Sequence, residues 1–113
     1  MASLGELERS VMTLLWDTEK QLSANEVCEQ LSEDLAVTTV LTVLSRLEKK
    51  AMVQRERSTR PHRYSATASR EDHTVEMLNE VLGTAPDREA VLARFIGGVS
   101  ESEAASLRRI LAD

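Results

Sequence analysis

Residues 37–66 read VTTVLTVLSRLEKKAMVQRERSTRPHRYSA, and the fold turns on how this stretch is read. Val40, Leu41, Val43, Leu44 and Leu47 recur at three- and four-residue spacing, which predicts a helix over residues 37–50 with a wide apolar arc turned toward a core. At about 100° per residue, the opposite face of that helix gathers Thr38, Thr39, Thr42, Ser45, Arg46, Lys49 and Lys50, with no carboxylate at its centre. Residues 52–57 and 62–66 then predict two short extended segments, with Ser58, Thr59, Arg60 and Pro61 as the turn between them. Pro61 has no backbone donor and suits a loop or an edge. Tyr64 and Met52 are expected to pack this hairpin onto the helices, because an aromatic ring in so small an element gains most by burial.

On the N-terminal side, Leu4, Leu7, Val11 and Leu14, closed by Trp16, predict a helix over residues 4–16. Residues 20–23 form a short connector, and Ser23 with Glu26 makes a capping box that opens a second helix reaching about Ser32. Val27, Cys28 and Leu31 lie on its inner stripe, where a lone cysteine behaves as a small buried hydrophobe. Three short helices followed by a hairpin are the order of a winged helix-turn-helix, whose third helix enters a major groove while the hairpin lies along the backbone.

Beyond the hairpin, Ser69 with Asp72 opens a helix striped by Val75, Leu78, Val81 and Leu82 and ended by Gly83. Pro86 suits the first turn of a following helix, in which Val91, Leu92, Phe95 and Ile96 precede Gly97 and Gly98. Ser100 with Glu103 caps a last helix carrying Leu107, Ile110 and Leu111. The expected architecture is mainly α with a small β-hairpin: a winged-helix domain over residues 1–68 and a helical domain over residues 69–113. Three striped helices in about forty residues enclose too little volume for a core of their own. Burying Val75, Leu78, Leu82, Val91, Leu92, Phe95, Ile96, Leu107, Ile110 and Leu111 against a second copy makes this a dimerisation domain, the alternative being that they pack on the chain's own N-terminal domain.

Charge agrees with a nucleic-acid partner once its distribution is considered. The 113 residues carry a net charge of -5, yet residues 37–70 hold 8 basic and 2 acidic side chains between two acidic flanks. A cationic block inside an acidic chain is the sequence form of one phosphate-binding face. The small hydroxyls Thr38, Thr39 and Thr42 are the expected base readers, and Ser45, Arg46, Lys49 and Lys50 the expected backbone contacts, with Arg60 and Arg63 adding the hairpin. The second possibility is a winged-helix module that binds protein and not DNA.

Other classes find little support. His62 and His73 belong to no nucleophile and carboxylate constellation and no glycine-rich phosphate loop is present, so an enzyme is not expected. His62 is expected to be structural or phosphate-facing and His73 solvent-facing. No cofactor and no metal site is expected, since His and Cys show no ligand spacing. Neither a membrane span nor a secretory signal is read, so a cytoplasmic location is expected.

Four stretches, LGELERSVMTLLW, ANEVCEQL, TTVLTVLSRLEKKAMVQRER and RPHRYSA, together resemble the penicillinase-repressor family, which includes the BlaI and MecI repressors and the related copper-responsive CopY repressors. The resemblance covers nearly the whole chain and is strongest from Leu4 to Tyr64. It implies a homodimer that binds pseudo-palindromic operators and represses resistance or stress genes. In the beta-lactam branch it further implies a protease-linked inducer pathway, in which a membrane sensor leads to cleavage between an Asn and a Phe. The matching position here is Arg94 followed by Phe95, which keeps the Phe but not the Asn and argues against that form of control. The copper branch carries a C-terminal Cys-x-Cys device, which a chain with no cysteine after Cys28 lacks. Thr59 stands where relatives commonly have Gly before the wing arginine.

Overall fold

The computed structural model describes residues 4–112. In chain order the elements are α1 (Glu6–Asp17), β1 (Leu22–Ser23), α2 (Ala24–Gln30), α3 (Val37–Lys49), β2 (Val53–Glu56), β3 (Arg63–Ala66), α4 (Arg70–Gly83), α5 (Arg88–Gly97) and α6 (Glu101–Ala112). They divide into two compact units, Met1–Thr74 and Val75–Asp113, with the boundary inside α4.

The first unit holds the core. Val11, Met12 and Leu15 of α1, Val27 of α2, and Val40, Val43, Leu44 and Leu47 of α3 are buried together with Leu22, Val53 and Tyr64 of the strands. The buried stripe of α1 therefore runs through Glu8, Val11, Met12 and Leu15, while the expected Leu4, Leu7 and Leu14 are only partly covered. A charged residue at one stripe position had hidden that register from the hydrophobic pattern. Ser23 caps α2 as expected, its hydroxyl accepting from the Glu26 amide at 3.2 Å while Glu26 accepts from the Ser23 amide at 2.9 Å.

The sheet has three strands in the order β1-β3-β2, where the sequence suggests a hairpin alone. Leu22 pairs with Tyr64 and Ser23 with Arg63, so the expected connector contributes a strand of two residues. So short a strand has no alternation to read; its partner across the sheet defines it. Val53, Gln54, Arg55 and Glu56 face Ala66, Ser65, Tyr64 and Arg63 across the antiparallel hairpin.

The end of α3 sets the direction of β2. The Ala51 amide donates to the Glu48 carbonyl at 3.0 Å and the Met52 amide to the Leu47 carbonyl at 2.9 Å, the paired bonds of a Schellman termination. Ala51 has φ of 62°, the left-handed conformation that usually belongs to glycine.

Trp16 fastens the start of α4 to α1. Its indole N–H donates to the Ala68 carbonyl at 3.1 Å, its ring centroid lies 5.4 Å from that of His73, and the Arg70 guanidinium stands 5.5 Å over it. Arg70 also pairs with Asp17 at 2.9 Å. His73 is half-buried against the indole, not solvent-facing as expected, because its partner lies far away in the sequence.

In the second unit Asp87 caps α5, its carboxylate accepting from the Ala90 amide at 3.1 Å, which leaves Pro86 just ahead of the helix and outside its first turn. Ser100 and Glu103 make the expected box at the start of α6. No residue of α5 or α6 is buried.

Replacing Ala51 with glycine relieves the left-handed strain at α3 and should stabilise the protein by about 0.5–1 kcal/mol, after allowing for the greater freedom of glycine in the unfolded chain. Denaturant unfolding would register the gain as a higher midpoint with an unchanged slope.

Candidate nucleic-acid interface

Burial of Val40, Val43, Leu44 and Leu47 fixes the rotation of α3 about its axis. Thr38, Thr39, Thr42, Ser45, Arg46, Lys49 and Lys50 are consequently all exposed and share its outward side. The Thr42 hydroxyl donates to the Thr38 carbonyl at 3.0 Å. With its proton committed to the helix, it offers solvent a methyl and acceptor lone pairs.

The cations differ in how they are held. Among the described residues the Lys49 side chain makes no hydrogen bond or ion pair. Lys50 reaches back to α1, its ammonium lying 3.0 and 2.9 Å from the two Glu8 oxygens. The Glu8 carboxyl is pulled below the ordinary glutamate range, first by that bond and next by the Gly5 amide, which donates to it at 3.0 Å. Arg46 adds a weaker attraction in the same direction. Lys50 thereby locks the end of the outward-facing helix onto α1 as well as contributing to its cationic surface.

Arg63 is similarly anchored, donating to Glu26 at 2.9 Å and to the Gln21 carbonyl at 3.3 Å. It ties β3 to the cap of α2. Arg55 of β2 and Arg57 just beyond it share Glu48 of α3 at 3.7 and 3.3 Å, which holds the hairpin against the helix. Arg60 is exposed, but its guanidinium folds over the turn, donating to the Arg57 and Thr59 carbonyls at 2.8 and 3.0 Å. The same nitrogen lies 2.8 Å from His62 Nε2, which must accept because arginine has no lone pair to give. Desolvation, then the charges of Arg60, Arg55 and Arg57, hold His62 below the usual histidine range.

One residue of this region escaped the sequence reading. Leu41, assigned to the apolar arc, is 41% exposed and is the sole exposed large hydrophobic side chain before Val75 among the described residues. It borders a cavity of about 230 Å³ lined by Ala24, Asn25, Val37, Arg55, Pro61, His62 and Tyr64. Periodicity could not separate it from its neighbours, since Leu41 lies at the margin of the arc. Among the described residues no cluster of His, Cys, Asp or Glu could hold a metal ion, and no helix is long and apolar enough to cross a membrane. Cys28 is only partly buried, its thiol directed at the Leu35 carbonyl 3.0 Å away.

In the second unit the expected dimerisation residues are uncovered. Val75, Leu78, Val91, Leu92, Phe95, Ile96, Ile110 and Leu111 are exposed, Phe95 at 62% and Leu111 at 80%, while Leu82 and Leu107 are half-buried.

This winged arrangement is matched in known proteins. The penicillinase repressor family model fits residues 4–113. The chain belongs to the penicillinase-repressor family. It is 41% identical over 118 aligned residues to the transcriptional regulator BlaI of Mycobacterium tuberculosis, covering 100% of this chain and 86% of that protein. Relatives of this kind are transcriptional regulators, not enzymes. A MarR family protein from Bacillus stearothermophilus shares the fold with a TM-score of 0.53 at 20% identity, over 98% of this chain and 72% of its own. FabT of Streptococcus pneumoniae, solved in complex with DNA, does so with a TM-score of 0.51 at 20% identity, over 96% of this chain and 71% of its own.

A carboxyl held below its ordinary range stabilises the fold above the unfolded-state value and loses that contribution as pH falls through the depressed midpoint. Glu8→Gln should therefore cost about 1–2 kcal/mol at pH 7, the usual size for charge-assisted hydrogen bonds that are partly solvated. Thermal melts should show the deficit shrinking as pH is lowered through the carboxylate range, whereas a pH-independent gap would contradict the assignment.

Proposed function

We propose that this protein is a transcriptional repressor that binds pseudo-palindromic operator DNA as a homodimer and controls resistance or stress-response genes from the cytoplasm. The observation that carries the reading is the outward side of α3, neutral hydroxyls followed by cations, set beside a basic hairpin and fixed from behind by a packed core. The kinship with BlaI supports the regulatory role, and the DNA held by FabT shows that this fold class accommodates a duplex.

In this reading α3 lies in the major groove. Thr38, Thr39 and Thr42 meet base edges, and Thr42, with its proton engaged, accepts from an exocyclic amino group or covers a thymine methyl. Ser45, Arg46, Lys49 and Lys50 meet phosphates where the helix leaves the groove, while Arg60 and Arg63 of the wing face the flanking backbone. Arg60 must release its bonds to the turn to extend, and phosphate repays them with charge-assisted contacts. None of the forward readers is an Arg, Asn or Gln, so each half-site is read modestly and two copies at fixed spacing supply the rest.

The second copy joins through α4, α5 and α6, whose unburied stripes form a self-complementary apolar surface. A division into a DNA-binding domain over residues 1–68 and a dimerisation domain over residues 69–113 follows from that reading. Release of the operator by cleavage at Arg94 and Phe95 is not part of it, since that position lacks the Asn of the protease-linked branch.

Thr42→Ala should bring operator and random-duplex affinities closer together, and Lys49→Ala should weaken both alike and lower the slope of affinity against salt by about one unit. Fluorescence anisotropy across 50–200 mM salt should show a fall of about 10³ or more for the unaltered protein if six to ten phosphates are contacted. A module that binds only protein would show no such slope.

For the dimer, Phe95→Glu combined with Ile110→Glu should yield a folded monomer in sedimentation analysis, with operator affinity reduced toward that for random duplex. An unchanged dimer would refute the assigned surface.

A further inference from the structure

We infer that Leu41, with the cavity beside it, is a reading pocket for the C5-methyl group of a thymine in each operator half-site. The inference deepens the proposed reading of α3 and rests on it. Leu41 lies one residue before Thr42 and three after Thr38, at the edge of the outward helical side, and its exposure has no counterpart elsewhere in the first unit among the described residues. What sets Leu41 apart is the apolar cavity it borders, since together they form a surface that gains stabilisation when an apolar group covers it.

The surroundings specify the covering group. Val37, Pro61 and Tyr64 give the cavity apolar walls, so its occupant is a small apolar group and not a phosphate. Arg55 stands at the same walls, with Arg57 and Arg60 further along the wing, so the molecule bearing that group is an anion, while His62 adds a neutral polar edge. Asn25 at the start of α2 adds another. Duplex DNA satisfies both requirements, because in the major groove only thymine among the unmodified bases carries a projecting methyl beside a phosphate strand. The cavity, at about 230 Å³, admits a methyl with room for the pyrimidine edge. Thr38 and Thr42 would then place polar contacts next to it on the same base step.

The test uses the full-length protein and a symmetric duplex selected by it from a randomised pool. Each thymine is replaced in turn, in both half-sites, by deoxyuridine, which removes only the methyl. The unaltered protein should lose about four-fold in affinity per half-site at one thymine position, the equivalent of one buried methyl. Leu41→Ala should bind the thymine and deoxyuridine duplexes equally, with a native melting profile. Leu41→Gln serves the same comparison should the alanine variant fold poorly. If no deoxyuridine position weakens the unaltered protein, or if both variants retain its full penalty, the pocket assignment is overturned. Equal losses by the variants on operator and random duplex would overturn it as well, since Leu41 would then act through the backbone or the fold. Failure of the pool to enrich any sequence would instead strike the proposed function itself.

Discussion

The inner face of α3 is the constraint on which the remaining structure depends. Val40, Val43, Leu44 and Leu47 are gripped by α1, α2 and the sheet, so the helix cannot roll about its axis. A roll of one residue would carry the threonines into the core and leave hydroxyls without partners. Each attachment around this helix reinforces the same setting: Lys50 binds Glu8 at its end, Glu48 gathers two wing arginines at its flank, and the Schellman turn directs the chain into β2. The wing is thus positioned by the helix it accompanies.

The sequence disclosed most of this through local signals. Capping boxes at Ser23, Ser69 and Ser100 each involve residues three apart, and all are formed. The polar side of α3 was also readable, because it needs only helical geometry. What escaped depends on distant partners. Lys50 and Glu8 stand 42 positions apart, and Trp16 meets His73 only because the first turn of α4 returns to α1. β1 exists by virtue of Tyr64 and Arg63 opposite it. Leu41 escaped for another reason: a residue at the border of a wide apolar arc is buried or open according to what the neighbouring wing leaves uncovered.

The two units differ in how they satisfy the hydrophobic effect. The N-terminal unit closes a core within one chain, whereas α5 and α6 bury none of their residues and expose Phe95, Ile96, Ile110 and Leu111. The first unit needs no partner to exclude water from its interior. For the second, the apolar stripes are surplus until a complementary surface meets them. The apolar stripes of α5 and α6 can therefore change without disturbing the packing that sets the rotation of α3.

Trp16 has a consequence beyond packing. As the one tryptophan in the chain, placed against His73 and beneath Arg70 with its N–H on Ala68, it is a native fluorophore at the joint between α1 and the first turn of α4. Its emission follows the detachment of that turn without any label, and no second indole obscures the signal.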